Sequence, residues 1–145
     1  MNKLYIPGDL VYFGGERAKV ELYNPSTDDS VWVRVVENGG ENRTWNASLK
    51  YEISPIPLTF DILQKNGWVK KVMSRGIKNS HWVYTKPDIE EYGYFPIYIE
   101  KGIGKEFNVY PFTSNHVCTQ IAYIKYVHQL QHLLFGLGLN HEMEV

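Results

Sequence analysis

One cysteine stands in the chain, Cys118, and no second thiol exists for it to pair with. An internal disulfide is therefore excluded, and a reducing compartment is the expected setting. Charge of one sign is also missing. Fifteen Lys and Arg face 16 Asp and Glu, a formal net charge of −1. No global basic field exists to favour a phosphate backbone, and the acidic residues form no tail. Uninterrupted apolar runs fall well short of the ~20 residues that span a bilayer. The opening Met1-Asn-Lys-Leu-Tyr-Ile-Pro-Gly8 carries no hydrophobic signal segment. Together these readings predict a protein that stays in the cytoplasm, away from membranes. Internal repeats and low-complexity stretches are absent as well.

Motifs of known reactions are incomplete. Gly102-Ile-Gly-Lys105 resembles a phosphate loop, but Lys105 is followed by Glu106 and a strand-like run instead of a hydroxyl residue and a helix. It reads as a hairpin turn. His128 and His132, four apart, would share a helix face. The residue after His128 is Gln129, so the glutamate base of a metalloprotease helix is lacking, and no third ligand is evident among His81, His116 and His141. His116 and Cys118 would point to one side of a strand, without an orienting group or an oxyanion hole. No serine sits in a GxSxG elbow. The carboxylate pairs Asp28-Asp29 and Glu90-Glu91 lie in polar loops. No catalytic residue, metal or cofactor is expected, and the chain is read as a non-enzyme.

What the chain has in quantity is rings: 11 Tyr, 6 Phe and 4 Trp in 145 residues, with a hydrophobic fraction of 43%. Tyr and Trp suit half-buried sheet faces, where the ring packs and the polar tip stays wet. A chain of this size buries roughly 68% of its unfolded surface. One domain, or two small subdomains, is expected.

Residues 1 to 57 read as short strands. Gly14-Gly15 signals a tight hairpin. Across Glu16 to Tyr23, Ala18, Val20 and Leu22 alternate with Arg17, Lys19 and Glu21. Val31, Val33 and Val35 share one side of a third strand and Trp32 the other; a fourth is expected near Arg43 to Leu49 and a fifth at Tyr51 to Ile53. Four or five such strands predict a small, closed SH3-like barrel. After Pro55-Ile-Pro57, a short helix is expected with Thr59 as N-cap, Leu58 and Leu63 as a hydrophobic staple, and Gly67 as its stop. Strands follow at Val69 to Met73, His81 to Thr85, Phe95 to Glu100 and Glu106 to Phe112, with Lys86 to Gly93 turn-like. Residues 121 to 136 carry Ile124, Val127, Leu130, Leu134 and, just beyond, Leu137 at helical spacing. The predicted architecture is α+β: residues 1–57 as the barrel, and residues 58–145 as an α-β-β-β-α subdomain whose last helix packs on the second sheet.

Tyr92, Tyr94, Phe95, Tyr98, Tyr110 and Phe112 crowd one stretch. Three readings are open: a core under the last helix, a protein interface, or a stacking platform for bases, for which only Lys101 and Lys105 supply interleaved charge. The residues singled out for binding are Tyr92, Tyr94, Tyr98, Lys101, Tyr110, His128 and Gln131. Tyr126, His128 and Gln131 can also hydrogen-bond to backbone ends and hold the helix in place.

The strand opening Gly8-Asp9-Leu10-Val11, the Pro55-Ile-Pro-Leu-Thr59 helix start with Asn66-Gly67-Trp68 at its end, and the late Tyr126-Val-His-Gln-Leu-Gln131 resemble, in that order, a family of uncharacterised small proteins of gut bacteria, their prophages, phages and mobile elements. The likeness runs the length of the chain, and its last motif is the most specific. His132 stands where that family usually has Asn. The resemblance implies a small accessory protein and carries no catalytic residue. The expected function is non-enzymatic binding of a host or phage protein, with modulation of host defence as one outcome. A nucleotide- or nucleic-acid-sequestering protein and a virion structural component are the alternatives, and a homo-oligomer is compatible with each.

Overall fold

A computed structural model describes residues 5–23, 30–35, 44–74, 80–91, 97–102, 104–111 and 122–145. The elements run β1(Leu10–Phe13), β2(Glu16–Tyr23), β3(Ser30–Val35), β4(Thr44–Ser48), β5(Ile53–Pro55), α1(Phe60–Lys65), β6(Val69–Ser74), β7(Ser80–Thr85), α2(Pro87–Glu91), β8(Ile97–Lys101), β9(Phe107–Pro111), β10(Ala122–Ile124) and α3(Val127–Gly136). The fold is α+β, with two antiparallel five-stranded sheets, ordered β4-β3-β2-β1-β5 and β10-β9-β8-β7-β6. No helix among the described residues is long and apolar enough to cross a membrane.

The chain divides into two compact units. The first comprises Met1–Pro57 with Tyr126–Met143 and Val145, the second Leu58–Lys125 with Glu144. In the first, β1 and β2 meet across Gly14 and Gly15, both at positive φ (56° and 84°). That is the backbone a two-residue hairpin turn requires. Val11, Ala18, Val20, Val31, Val33 and Ala47 are buried together with Tyr5 and Ile53. The alternation holds through Val20 and then breaks. A register shift between Val20 and Leu22 turns Leu22 outward, leaving it 62% exposed. One extra residue in a strand reverses every side chain beyond it.

Three expectations are corrected. The sheet is not a closed barrel: β4 and β5 are its two ends, and no ladder joins them among the described residues. The last helix begins at Val127, not at residue 121. Ala122–Ile124 instead pair with β9, and Tyr126 is extended (φ −127°, ψ 151°). The helical spacing from Ile124 is therefore coincidental. Moreover, α3, expected to pack on the second sheet, packs on β1 and belongs to the first unit. The reason is polar: Gln131 and His132 find partners on Gly8, Asp9 and Leu10. Val127, Leu130 and Leu134 are buried, as the periodicity requires, while Leu137 is exposed.

In the second unit, Thr59 caps α1 by accepting the Ile62 N–H at 3.2 Å. Gly67 ends the helix at φ 86°, and Trp68 N–H donates to Leu63 C=O at 3.0 Å. A positive φ at this position lets the chain fold back so that Trp68 is buried. Residues 87–91, expected to be a turn, form α2 with Pro87 at its first position, where a missing N–H costs nothing.

Candidate binding site

The second sheet carries an open groove of about 330 Å³, lined by Phe60, Lys70, Trp82, Tyr84, Glu100 and Lys101. Its wall follows from strand register. Lys70 lies opposite Tyr84, and Val72 opposite Trp82. Directly paired residues of antiparallel strands share a face, so Lys70, Val72, Trp82 and Tyr84 line one side of the β6–β7 pair. Phe60, the first residue of α1, lies on that side. Its ring stacks on Tyr84 (centroids 5.3 Å apart, 21° between planes) and meets Phe107 edge-on at 5.6 Å.

Two ammonium groups rest on rings here. Lys70 Nζ is 4.2 Å from the centre of Trp82, and Lys101 Nζ is 4.7 Å from that of Phe107. Each cation is drawn to the negative face of its ring. Lys101 also donates to the Gly104 carbonyl at 2.7 Å, which anchors it over the β8–β9 turn. Trp82 stays 55% exposed and Phe60 42%. The groove offers wet apolar rings and fixed positive charge.

A second polar constellation lies in the first unit, where α3 meets the start of β1. Asp9 is 2% exposed. Its carboxylate accepts the Ile6 N–H at 2.8 Å and faces His132 Nε2 through both oxygens, at 2.7 and 2.9 Å. Burial raises the Asp9 carboxyl above its ordinary value; the Ile6 bond, His132 and His141 pull the other way. Gln131, also 2% exposed, accepts the Leu10 N–H at 3.0 Å and donates to the carbonyls of Gly8 (3.0 Å) and His141 (3.3 Å). Around them, Tyr5 lies against His128 (4.9 Å), and His128 against Tyr126 (5.9 Å) and His132 (5.6 Å). Gln129 Oε1 accepts the Tyr126 N–H at 3.1 Å and secures the first turn of α3. All these bonds close within the unit, which fits a joint more than an open site. Among the described residues no three His, Cys, Asp or Glu side chains converge as a metal site.

The residues singled out from sequence are dispersed. Lys101 lies on the groove. Tyr98 is buried, with Lys71 Nζ 6.0 Å from its ring. His128 and Gln131 are buried in the first unit. Tyr110 belongs to β9, but its side chain, like Tyr92 and Tyr94 entirely, lies outside the described residues. His116, Cys118 and the Asp28-Asp29 pair lie outside them too. Sequence reasoning missed Phe60, Lys70, Trp82 and Tyr84. Lys70, Trp82 and Tyr84 lie in stretches expected to be strands, but only the pairing register brings them to one face. No local pattern marks Asp9 as the partner of a residue 123 positions away. Comparison with known protein families, with curated proteins and with solved structures finds no match to this chain.

Proposed function

We propose that the protein is a non-enzymatic accessory protein that binds a host or phage polypeptide through the groove face of its second sheet. The family resemblance supports a phage- or mobile-element-borne role, and modulation of host defence is a function such binding would serve. The observation that carries the reading is Trp82, half exposed beside Phe60 with Lys70 laid across its ring. Exposed Trp rings are among the side chains most enriched at interface hot spots. The first unit, with β5 returning beside β1, is read as an SH3-like sheet left open, clamped by α3.

A nucleotide is the second reading, favoured by the two lysines. The same lysines weigh against it: Lys70 and Lys101 already occupy ring faces on which a base would stack. The test is affinity capture from a bacterial lysate with the wild-type protein and a Trp82→Ala variant of unchanged melting temperature. A discrete polypeptide retained by the first and weakened about 30-fold in the second supports the proposal. Excess absorbance at 260 nm in the purified protein, or quenching of Trp fluorescence by nucleotides, overturns it in favour of the second reading.

A further inference from the structure

We propose that β6 is a docking edge, to which an extended segment of a partner protein adds as a further strand, and that the segment's centre reads apolar–acidic–acidic–apolar. The inference rests on the polypeptide-binding reading above and specifies the partner's chemistry. β6 ends its sheet, paired with β7 on one side. Among the described residues four strands are sheet ends. β6, at 6 residues, is the longest; β4 has 5, and β5 and β10 have 3 each. An edge strand presents a row of backbone donors and acceptors that another strand can complete.

The side chains of β6 define what that strand must be. Val69, Lys70, Lys71 and Val72 are all exposed, the valines at 46% and 48%. Lys70 and Val72 share the face of Trp82 and Tyr84, while Val69 and Lys71 share the other. Each face therefore presents one apolar and one cationic position to an incoming strand. Val-Lys-Lys-Val reads the same in both directions, so its complement has one pattern for parallel or antiparallel addition.

A second copy of this chain is a poor occupant. Antiparallel pairing of two β6 strands with valine opposite valine sets Lys70 against Lys71 twice, and like charges directly opposite repel. The lysines thus discourage self-pairing and basic strands, and acidic residues turn that repulsion into attraction. The exposed valines and the Trp82 ring supply the apolar contact that flanks it.

The probe is a fluorescein-labelled peptide centred on Thr-Val-Glu-Glu-Val-Thr, titrated with the full chain and followed by anisotropy. The expected result is saturable binding with slowed amide hydrogen exchange at Val69 to Val72. The Lys70→Glu/Lys71→Glu variant, altered only at exposed positions and checked by circular dichroism, should bind about tenfold more weakly and should accept the charge-reversed Thr-Val-Lys-Lys-Val-Thr peptide. Equal binding by wild type and variant, protection outside β6, or a peptide-independent dimer that buries β6 would overturn the proposal. The two readings fail separately. A captured polypeptide lost in Trp82→Ala, with no binding of the acidic peptide, removes the strand and keeps the groove. Specific peptide binding with no loss on Trp82→Ala removes the groove and keeps the strand.

Discussion

His132 Nε2 lies 2.7 Å from one carboxylate oxygen of Asp9 and 2.9 Å from the other, although 123 positions separate them in the chain. Both lie in the first unit, and the contact fastens α3 to the turn that opens β1. A carboxylate so buried is costly unless it is bonded. Here the cost is partly offset by the Ile6 N–H and the histidine, and the pair fixes which surface of α3 faces the sheet.

This joint should give the fold a pH signature. The folded Asp9 carboxyl is raised above 3.8, first by burial, so the folded protein holds this proton more tightly than the unfolded chain. The associated stability is complete below pH 3.8 and is lost as pH rises through the raised value, after which the contribution is constant. An Asp9→Asn variant has no such titration. Melting temperatures of both proteins between about pH 3 and pH 7 should show the wild type losing ground to the variant over the acid part of the range, then running parallel. A constant difference throughout would show that the carboxyl is not desolvated.

Tyr5 is 2% exposed, and its hydroxyl has no hydrogen-bond partner among the described residues. Tyr5→Phe removes a buried polar group without changing the ring, so the variant should be more stable by about 1 kcal/mol in urea denaturation. Burial, then Asp9 and Tyr126, push the Tyr5 hydroxyl up to about 12 from 10.0. The raised value means that the phenol's contribution is complete below pH 10.0 and is lost as pH climbs toward about 12. The phenylalanine variant should lack this part of the alkaline loss. A marked destabilisation at neutral pH would show that the hydroxyl is bonded in solution.

Gln131→Leu keeps the volume of a side chain that is 2% exposed and deletes its three hydrogen bonds to backbone. The Leu10 N–H and the Gly8 carbonyl then lose their partner on α3. The expected cost is about 3 kcal/mol, read from chemical denaturation. A cost under about 1 kcal/mol would mean that water replaces the amide.

Gly67→Ala tests the stop of α1. Gly67 holds φ at 86°, and an added Cβ would meet only Lys86 Cε at an ordinary 3.6 Å. The penalty is therefore backbone strain alone, about 1 kcal/mol. If relief of that strain moves Trp68 and the end of α1, the Phe60–Tyr84 stack moves with it, and the near-ultraviolet circular dichroism should change.

Much of the architecture was legible because it is local. The Gly14-Gly15 hairpin, the Thr59 cap and the Gly67 stop each follow from the backbone preferences of one or two residues. The alternation of Ala18 and Val20 placed them in the core, and failed at Leu22 because a bulge is invisible in a period-2 pattern. The run Ile121 to Ile124 fits both a helix face and a strand. Pairing with β9 decided between them, and pairing is a property of the folded sheet.

From residue order alone came the α+β class, the strand-rich halves and the buried stripe Val127, Leu130 and Leu134, since each depends on spacing and on the conformations a residue permits. Tertiary structure alone decided that α3 belongs to the first unit, that Asp9 finds His132, and that Phe60, Lys70, Trp82 and Tyr84 share one groove. Those are meetings between segments far apart in sequence. They depend on strand register and on which buried polar groups can be satisfied together, and neither is written in any single stretch of the chain.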